Sequence, residues 1–106
     1  SNTIRGAVAS WAKTLANEVA AQGITVNNIL PGATDTERLA AIIDLQATKG
    51  QCSPETVRQR FLEEIPARRF AQPEELANLA VFLAGDVASY ITGTSIPVDG
   101  GRTKCL

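Results

Sequence analysis

The 106-residue sequence contains no histidine and no methionine, and only one tryptophan, one tyrosine, three phenylalanines and two cysteines. Without histidine, triads built on an imidazole base and the usual zinc ligand sets are excluded, and Cys52 and Cys105 alone cannot close a structural metal site. Two lone thiols are too few for a disulfide scaffold and fit a reducing compartment, so the expected location is cytoplasmic. A charge excess is missing as well: ten Lys and Arg against eleven Asp and Glu leave a net charge of −1. A nucleic-acid binder draws its affinity from basic residues set against phosphates, so no nucleic-acid partner is expected. No apolar run approaches the ~20 residues that span a bilayer. No basic-then-apolar leader opens the chain, and no membrane partner is expected. What remains, 44% hydrophobic and 20% charged residues, is the composition of an ordinary globular chain with room for one core.

Periodicity supplies the elements. Ile4, Val8, Trp11, Leu15 and Val19 recur at gaps of three and four, which predicts a helix with one apolar stripe, ending near Gln22 with Gly23 as its left-handed cap. Ala7, Ala12 and Ala16 are small enough to let a neighbouring element approach. Ile24–Leu30, largely β-branched, predicts a strand that Pro31-Gly32 stops, and its apolar ends predict burial on both faces. Asn27 and Asn28 inside that run require hydrogen-bonded amides, and are read as structural. Thr34 and Glu37 stand at capping-box spacing before a helix bearing Leu39, Ile42 and Ile43 and closed by Gly50. Ser53-Pro54 opens the next helix, with Val57, Phe61, Leu62 and Ile65 as its apolar face, and Pro66 ends it. Gln72-Pro73-Glu74-Glu75 opens a third, with Leu76, Leu79, Ala80 and Leu83 buried. Asp86–Gly93 reads as a turn region, and Ser95–Val98 as a short last strand before Asp99-Gly100-Gly101.

This order of helix, strand, helices and strand predicts a parallel strand pair. Two parallel strands cannot bury their own faces, so the chain is expected to be part of a larger α/β domain or to pair with another chain.

Three stretches carry a family resemblance in register. They are Ala16–Asn27 with Pro31-Gly32, Ile65–Glu75, and Ala88–Gly93 with Val98–Gly101. Together they resemble the short-chain dehydrogenase/reductase family, most nearly its 3-oxoacyl-carrier-protein reductase-like members. The resemblance implies an α/β fold, the C-terminal part of a Rossmann-type doubly wound parallel sheet. Residues 1–106 would form one segment of a dinucleotide-binding domain, with a substrate lid at about 33–65. It implies NAD or NADP as cofactor, although the eight glycines nowhere form the G-x-G-x-x-G phosphate cradle. The implied partners are a small carbonyl or alcohol substrate, the missing N-terminal half of the domain, and further copies of the chain in a homo-oligomer.

The same resemblance assigns cofactor contacts to Pro31, Gly32, Thr34 and Thr36. Backbone groups around Thr34 would meet the nicotinamide carboxamide, and Thr36 would lie near the amide or phosphates. The alternative is a plain Pro-Gly turn with Thr34 as a helix cap. Counting back from Glu18-Val19-Ala20, the family's catalytic Tyr and Lys positions are held here by Ser1 and Arg5. In the family, the Tyr phenol donates the proton while the Lys lowers its pKa and holds the ribose. A serine hydroxyl is a far weaker acid, and an arginine fork differs from an ammonium point charge. Arg5 also reads as a solvated helix residue and Ser1 as a position without a role. The second expectation is therefore a catalytically degenerate relative serving as a binding or assembly module. Arg68-Arg69 reads as a surface pair neutralised by Glu63-Glu64 and Glu74-Glu75, and both cysteines read as inert.

Overall fold

A computed structural model describes residues 2–105. In chain order they form α1 (Asn2–Val19), a 3₁₀ turn (Ala20–Gln22), β1 (Asn28–Pro31), α2 (Glu37–Gly50), α3 (Pro54–Glu63), α4 (Pro73–Ala84), a 3₁₀ turn (Asp86–Ala88) and β2 (Ser95–Val98). The strands β1 and β2 pair in parallel: the Asn28 amide donates to the Thr94 carbonyl at 2.8 Å, and Gly32 to Val98 at 2.9 Å. The architecture is α/β, and the described residues fall into two compact units. The first joins residues up to 30 with 77–96, and the second joins 31–76 with the chain from 97 onward.

In the first unit, α1 is rich in alanine and free of proline, which favours an unbroken helix. Gly23 caps it with φ at 77°, its amide returning to the Ala20 carbonyl. The face turned inward is the alanine one, which the small side chains of Ala12 and Ala16 open to a neighbour. Ala12 and Ala16 are buried, whereas Ile4, Val8 and Trp11 are 69, 51 and 62% exposed. Periodicity identifies a stripe but not which stripe finds a neighbour, and here the small residues do. A Cβ added at Gly93 (φ 72°) would come 3.5 Å from Cβ of Ala16 and closer still to the Lys13 stem.

The predicted strand from Ile24 is also shorter than expected: ladder pairing begins only at Asn28. Facing Val26 and Asn27 is the Ile91–Gly93 turn, which offers no extended edge, so side chains replace the ladder. Val26 donates to the Thr92 hydroxyl at 3.0 Å, and the Gly93 amide returns to the Val26 carbonyl at 2.8 Å. The Asn27 amide spans the turn, its Nδ2 donating to the Ile91 carbonyl at 3.0 Å and its Oδ1 accepting from Thr94 N–H at 3.2 Å. Asn28 Nδ2 donates to Ser95 Oγ at 3.1 Å. Both asparagines are structural, as read. Burial on both faces does not follow within this chain, since Ile24 and Leu30 are 52 and 44% exposed.

The second unit has its own core: Leu39, Ile43 and Ala47 of α2, Val57 of α3, and Ile65 and Phe70 beyond it. The Ser53 hydroxyl accepts from Thr56 N–H and Pro54 occupies the first turn, as the sequence predicts for α3. Gly50 is the last residue of α2, as expected, and the left-handed cap is Gln51 with φ at 52°. On α4, which runs through both units, Leu76, Leu79 and Leu83 are half-buried but Ala80 is exposed.

Arg69 forks onto Glu75 with bonds of 2.6 and 3.0 Å, and Glu75 Oε1 also accepts from Gln72 N–H at the mouth of α4. The Arg69 hydrogen bonds first, then the Gln72 amide and the Arg69 charge, lower the Glu75 pKa from its ordinary 4.5 to about 2. Arg68 departs from the expected ion pairing: it donates to the Glu63 carbonyl rather than to a carboxylate.

Two outcomes follow from these contacts. Asn27→Ala strands the Ile91 carbonyl and Thr94 amide, and lowers the unfolding free energy of the native protein by about 1–3 kcal/mol in urea titration. Because the folded Glu75 pKa is depressed, its stabilisation is complete above 4.5 and is lost as pH falls toward about 2. The unfolding midpoint of the native protein therefore drops over that window, and Glu75→Gln flattens the drop. Salt weakens the effect, since both partners are exposed.

Candidate cofactor site at the Pro31–Thr36 turn

Pro31 ends β1, and the next residue makes the tightest backbone approach in the second unit. A Cβ at Gly32 would lie 2.7 Å from both Cα and Cβ of Asp99, a separation that no other residue type could occupy without displacing backbone. Glycine is thus required at position 32 for space, while its amide is held by the Val98 carbonyl.

Two residues on, Thr34 forms a parallel bridge with Ala71. The Ala71 amide donates to the Ala33 carbonyl at 3.0 Å, and the Asp35 amide to the Ala71 carbonyl at 2.8 Å. In a parallel bridge of this pattern, the enclosed residue turns its own N–H and C=O to the opposite edge. Among the described residues neither of those Thr34 groups takes a hydrogen bond. A primary carboxamide offers one amino group and one carbonyl, so this donor–acceptor pair on a single residue is complementary to such a group.

The Thr34 hydroxyl is not the helix cap. It donates to the Gly32 carbonyl at 3.1 Å, tightening the turn. The cap is Thr36, whose backbone is extended (φ −136°) and whose Oγ1 accepts from Leu39 N–H at 3.2 Å. The cap lies two residues beyond the capping-box expectation because the Asp35 amide is committed to the Ala71 carbonyl, so the helix starts only after Thr36. With its oxygen turned to α2, Thr36 has its hydroxyl proton left for a ligand.

Pro31, Gly32, Thr34 and Thr36 therefore lie together on one turn at the C-terminal end of a parallel strand, where open α/β sheets receive ligands. Arg5 lies exposed on α1 in the first unit. Ser1 lies outside the described residues. An open cleft of about 250 Å³ beside the turn is lined by Ala33, Ala71, Pro97 and Asp99, with the Arg69–Glu75 pair in its wall. Among the described residues no group of three or more His, Cys, Asp and Glu side chains could hold a metal ion.

One contributor was not singled out in the sequence: Ala71 carries no chemical signal, since it acts through its backbone. Asp99-Gly100-Gly101 reads from the sequence as fixing the last turn and lining the pocket, and the Asp99 carboxylate does bond the turn it opens, beside the cleft.

Residues 2–103 match the family described as enoyl-(acyl carrier protein) reductase. The chain is 36% identical over 100 residues to a 3-oxoacyl-[acyl-carrier-protein] reductase of Aquifex aeolicus, covering 94% of this chain and 36% of that protein. It is 43% identical over 93 residues to an acetoacetyl-CoA reductase of Shinella zoogloeoides, covering 87% of this chain and 34% of the other. The crystal structure of L-sorbose reductase from Gluconobacter frateurii, complexed with NADPH and L-sorbose, superposes with a TM-score of 0.89 at 37% identity, covering 99% of this chain and 40% of that one. The chain thus spans about a third of the length of these curated relatives. These matches agree with the Rossmann-type α/β class, and the chain belongs to the short-chain dehydrogenase/reductase family.

Proposed function

We propose that this chain is the C-terminal portion of an NAD(P)-dependent oxidoreductase acting on a carbonyl or alcohol, of the 3-oxoacyl reductase-like kind. The observation that carries this reading is the free N–H and C=O of Thr34, set on a glycine-dependent turn at the end of a parallel strand. Pro31 and Gly32 shape the turn, Thr34 holds the nicotinamide carboxamide, and the Thr36 hydroxyl proton is available to the amide or phosphates. When bound, the nicotinamide supplies or accepts the hydride. The phosphate cradle belongs to the preceding part of such a domain, and residues 1–106 form one segment of it. Residues 33–65, whose α2 presents Ile42 and Leu45 outward, serve as the substrate lid. The exposed Ile4, Val8 and Trp11 on α1 support assembly into a homo-oligomer. The two free thiols support a cytoplasmic location.

A second reading rests on Ser1 and Arg5, which replace the family's proton donor and its activator. On that reading, the protein keeps the fold and the cofactor turn as a binding or assembly module. Turnover separates the two. The native protein is incubated with NADH or NADPH and a panel of 3-oxoacyl thioesters and small ketones. The oxidoreductase reading predicts cofactor oxidation, raised about 100-fold or more by the double change Ser1→Tyr and Arg5→Lys, the usual contribution of a positioned proton donor. No oxidation by either form contradicts it and favours the module.

A further inference from the structure

Asp99 sits where three separate stretches of the second unit meet, and its carboxylate is spent on backbone. Oδ1 accepts from Gly101 N–H and Oδ2 from Thr103 N–H, each at 2.9 Å, and the Asp99 carbonyl takes the Arg102 amide at 3.3 Å. These bonds hold Gly100 and Gly101 in left-handed conformations, φ 64° and 91°. Gly100 and Gly101 have the φ signs of a type I′ turn, closed by the Asp99 carbonyl and Arg102 amide, and the carboxylate adds acceptors for the Gly101 amide within it and the Thr103 amide just beyond it.

The turn is a seat for both roots of the 33–65 segment. At the entry, the Gly32 backbone lies against Cα and Cβ of Asp99 itself. At the exit, the Ala67 amide donates to the Gly100 carbonyl at 3.0 Å. A Cβ on Gly100 would meet Cγ2 of Ile65 at 2.8 Å and Cβ of Ala67 at 3.1 Å, and one on Gly101 would meet the Pro66 ring at 3.3 Å. Arg102 closes the arrangement with an ion pair to Glu64 at 3.1 Å. The exit strand then returns to the entry through the Thr34–Ala71 bridge. The position of the free Thr34 pair is thereby set from both sides by one turn.

We propose that Asp99 is a positioning residue for the nicotinamide end of the cofactor: its carboxylate fixes the Gly100–Gly101 turn, and the turn fixes where Thr34 presents its N–H and C=O. The inference rests on the Thr34 assignment made under the proposed function. It predicts an effect confined to one end of the dinucleotide, since the adenosine end is held elsewhere in a domain of this class.

The test compares two ligands on the native protein by calorimetric titration: the reduced dinucleotide that it prefers, and the corresponding ADP-ribose (2′-phosphorylated if that dinucleotide is NADPH), which lacks the nicotinamide. Asp99→Ala is expected to weaken the dinucleotide about tenfold or more, as expected for loss of one or two placed hydrogen bonds, while leaving ADP-ribose binding within about twofold. Asp99→Asn keeps the acceptor for Gly101 but turns an amino group on Thr103 N–H, and is expected to fall between the native protein and Asp99→Ala. If Asp99→Ala does not fold, the Asn variant alone decides by the same ratio. Equal weakening of both ligands, or no change in either, overturns the positioning role while leaving the proposed function standing. A native protein that binds neither ligand overturns the Thr34 assignment and this inference with it.

Discussion

The contact of Gly32 with Asp99 is the constraint on which the second unit depends. Two backbones meet there with no room for a side-chain carbon, and that proximity lets the end of β1 and the end of β2 share one corner. Every feature of the candidate site follows from it in sequence. The chain leaving Gly32 is extended and bridged to Ala71, so Thr34 keeps its N–H and C=O to the open side. Thr36, two residues on, is then free to cap α2. A larger residue at 32 would push the turn away from Asp99 and lose the register with Ala71, so the chemistry depends on an absent methyl group as much as on any group present.

The first unit relies on a different device. Where the partner segment turns instead of extending, the Asn27 amide takes over the work of two ladder bonds. Its α1 buries alanines and leaves Ile4, Val8 and Trp11 outside, an arrangement that gains little hydrophobic stabilisation until another surface covers them, at roughly 25 cal/mol per Å². The chain spans about a third of the length of the curated relatives it matches, and α1 leaves these large apolar residues exposed.

Much of this was legible in the residues because local chemistry decided it. Ser53-Pro54, Gln72-Pro73 and the Ser95–Val98 strand need only their own neighbours to be read, and Gly23 needs only its preference for positive φ. Distant partners decided what local chemistry leaves open in three places. The inward face of α1 was set by Gly93, more than 70 residues away in sequence. The strand from Ile24 was cut short by the Ile91–Gly93 turn, and the cap is Thr36 instead of Thr34 because Ala71 takes the Asp35 amide and delays the helix. At the candidate site, the resemblance located Pro31–Thr36, but the reason that Thr34 has a free donor and acceptor is a backbone bridge that no side chain announces. The role of Asp99 was half-visible: its turn could be read, but what rests on that turn could not.

Hydrogen exchange at single-amide resolution on the native protein, with and without its preferred dinucleotide, tests the central claim most directly. The account predicts that Thr34 N–H exchanges rapidly in the free protein and becomes protected on binding, while the Asp35 and Ala71 amides, already bonded to each other's strands, are slow in both states. A Thr34 amide that is unaffected by a dinucleotide bound elsewhere on the protein would contradict the assignment of this turn to the nicotinamide.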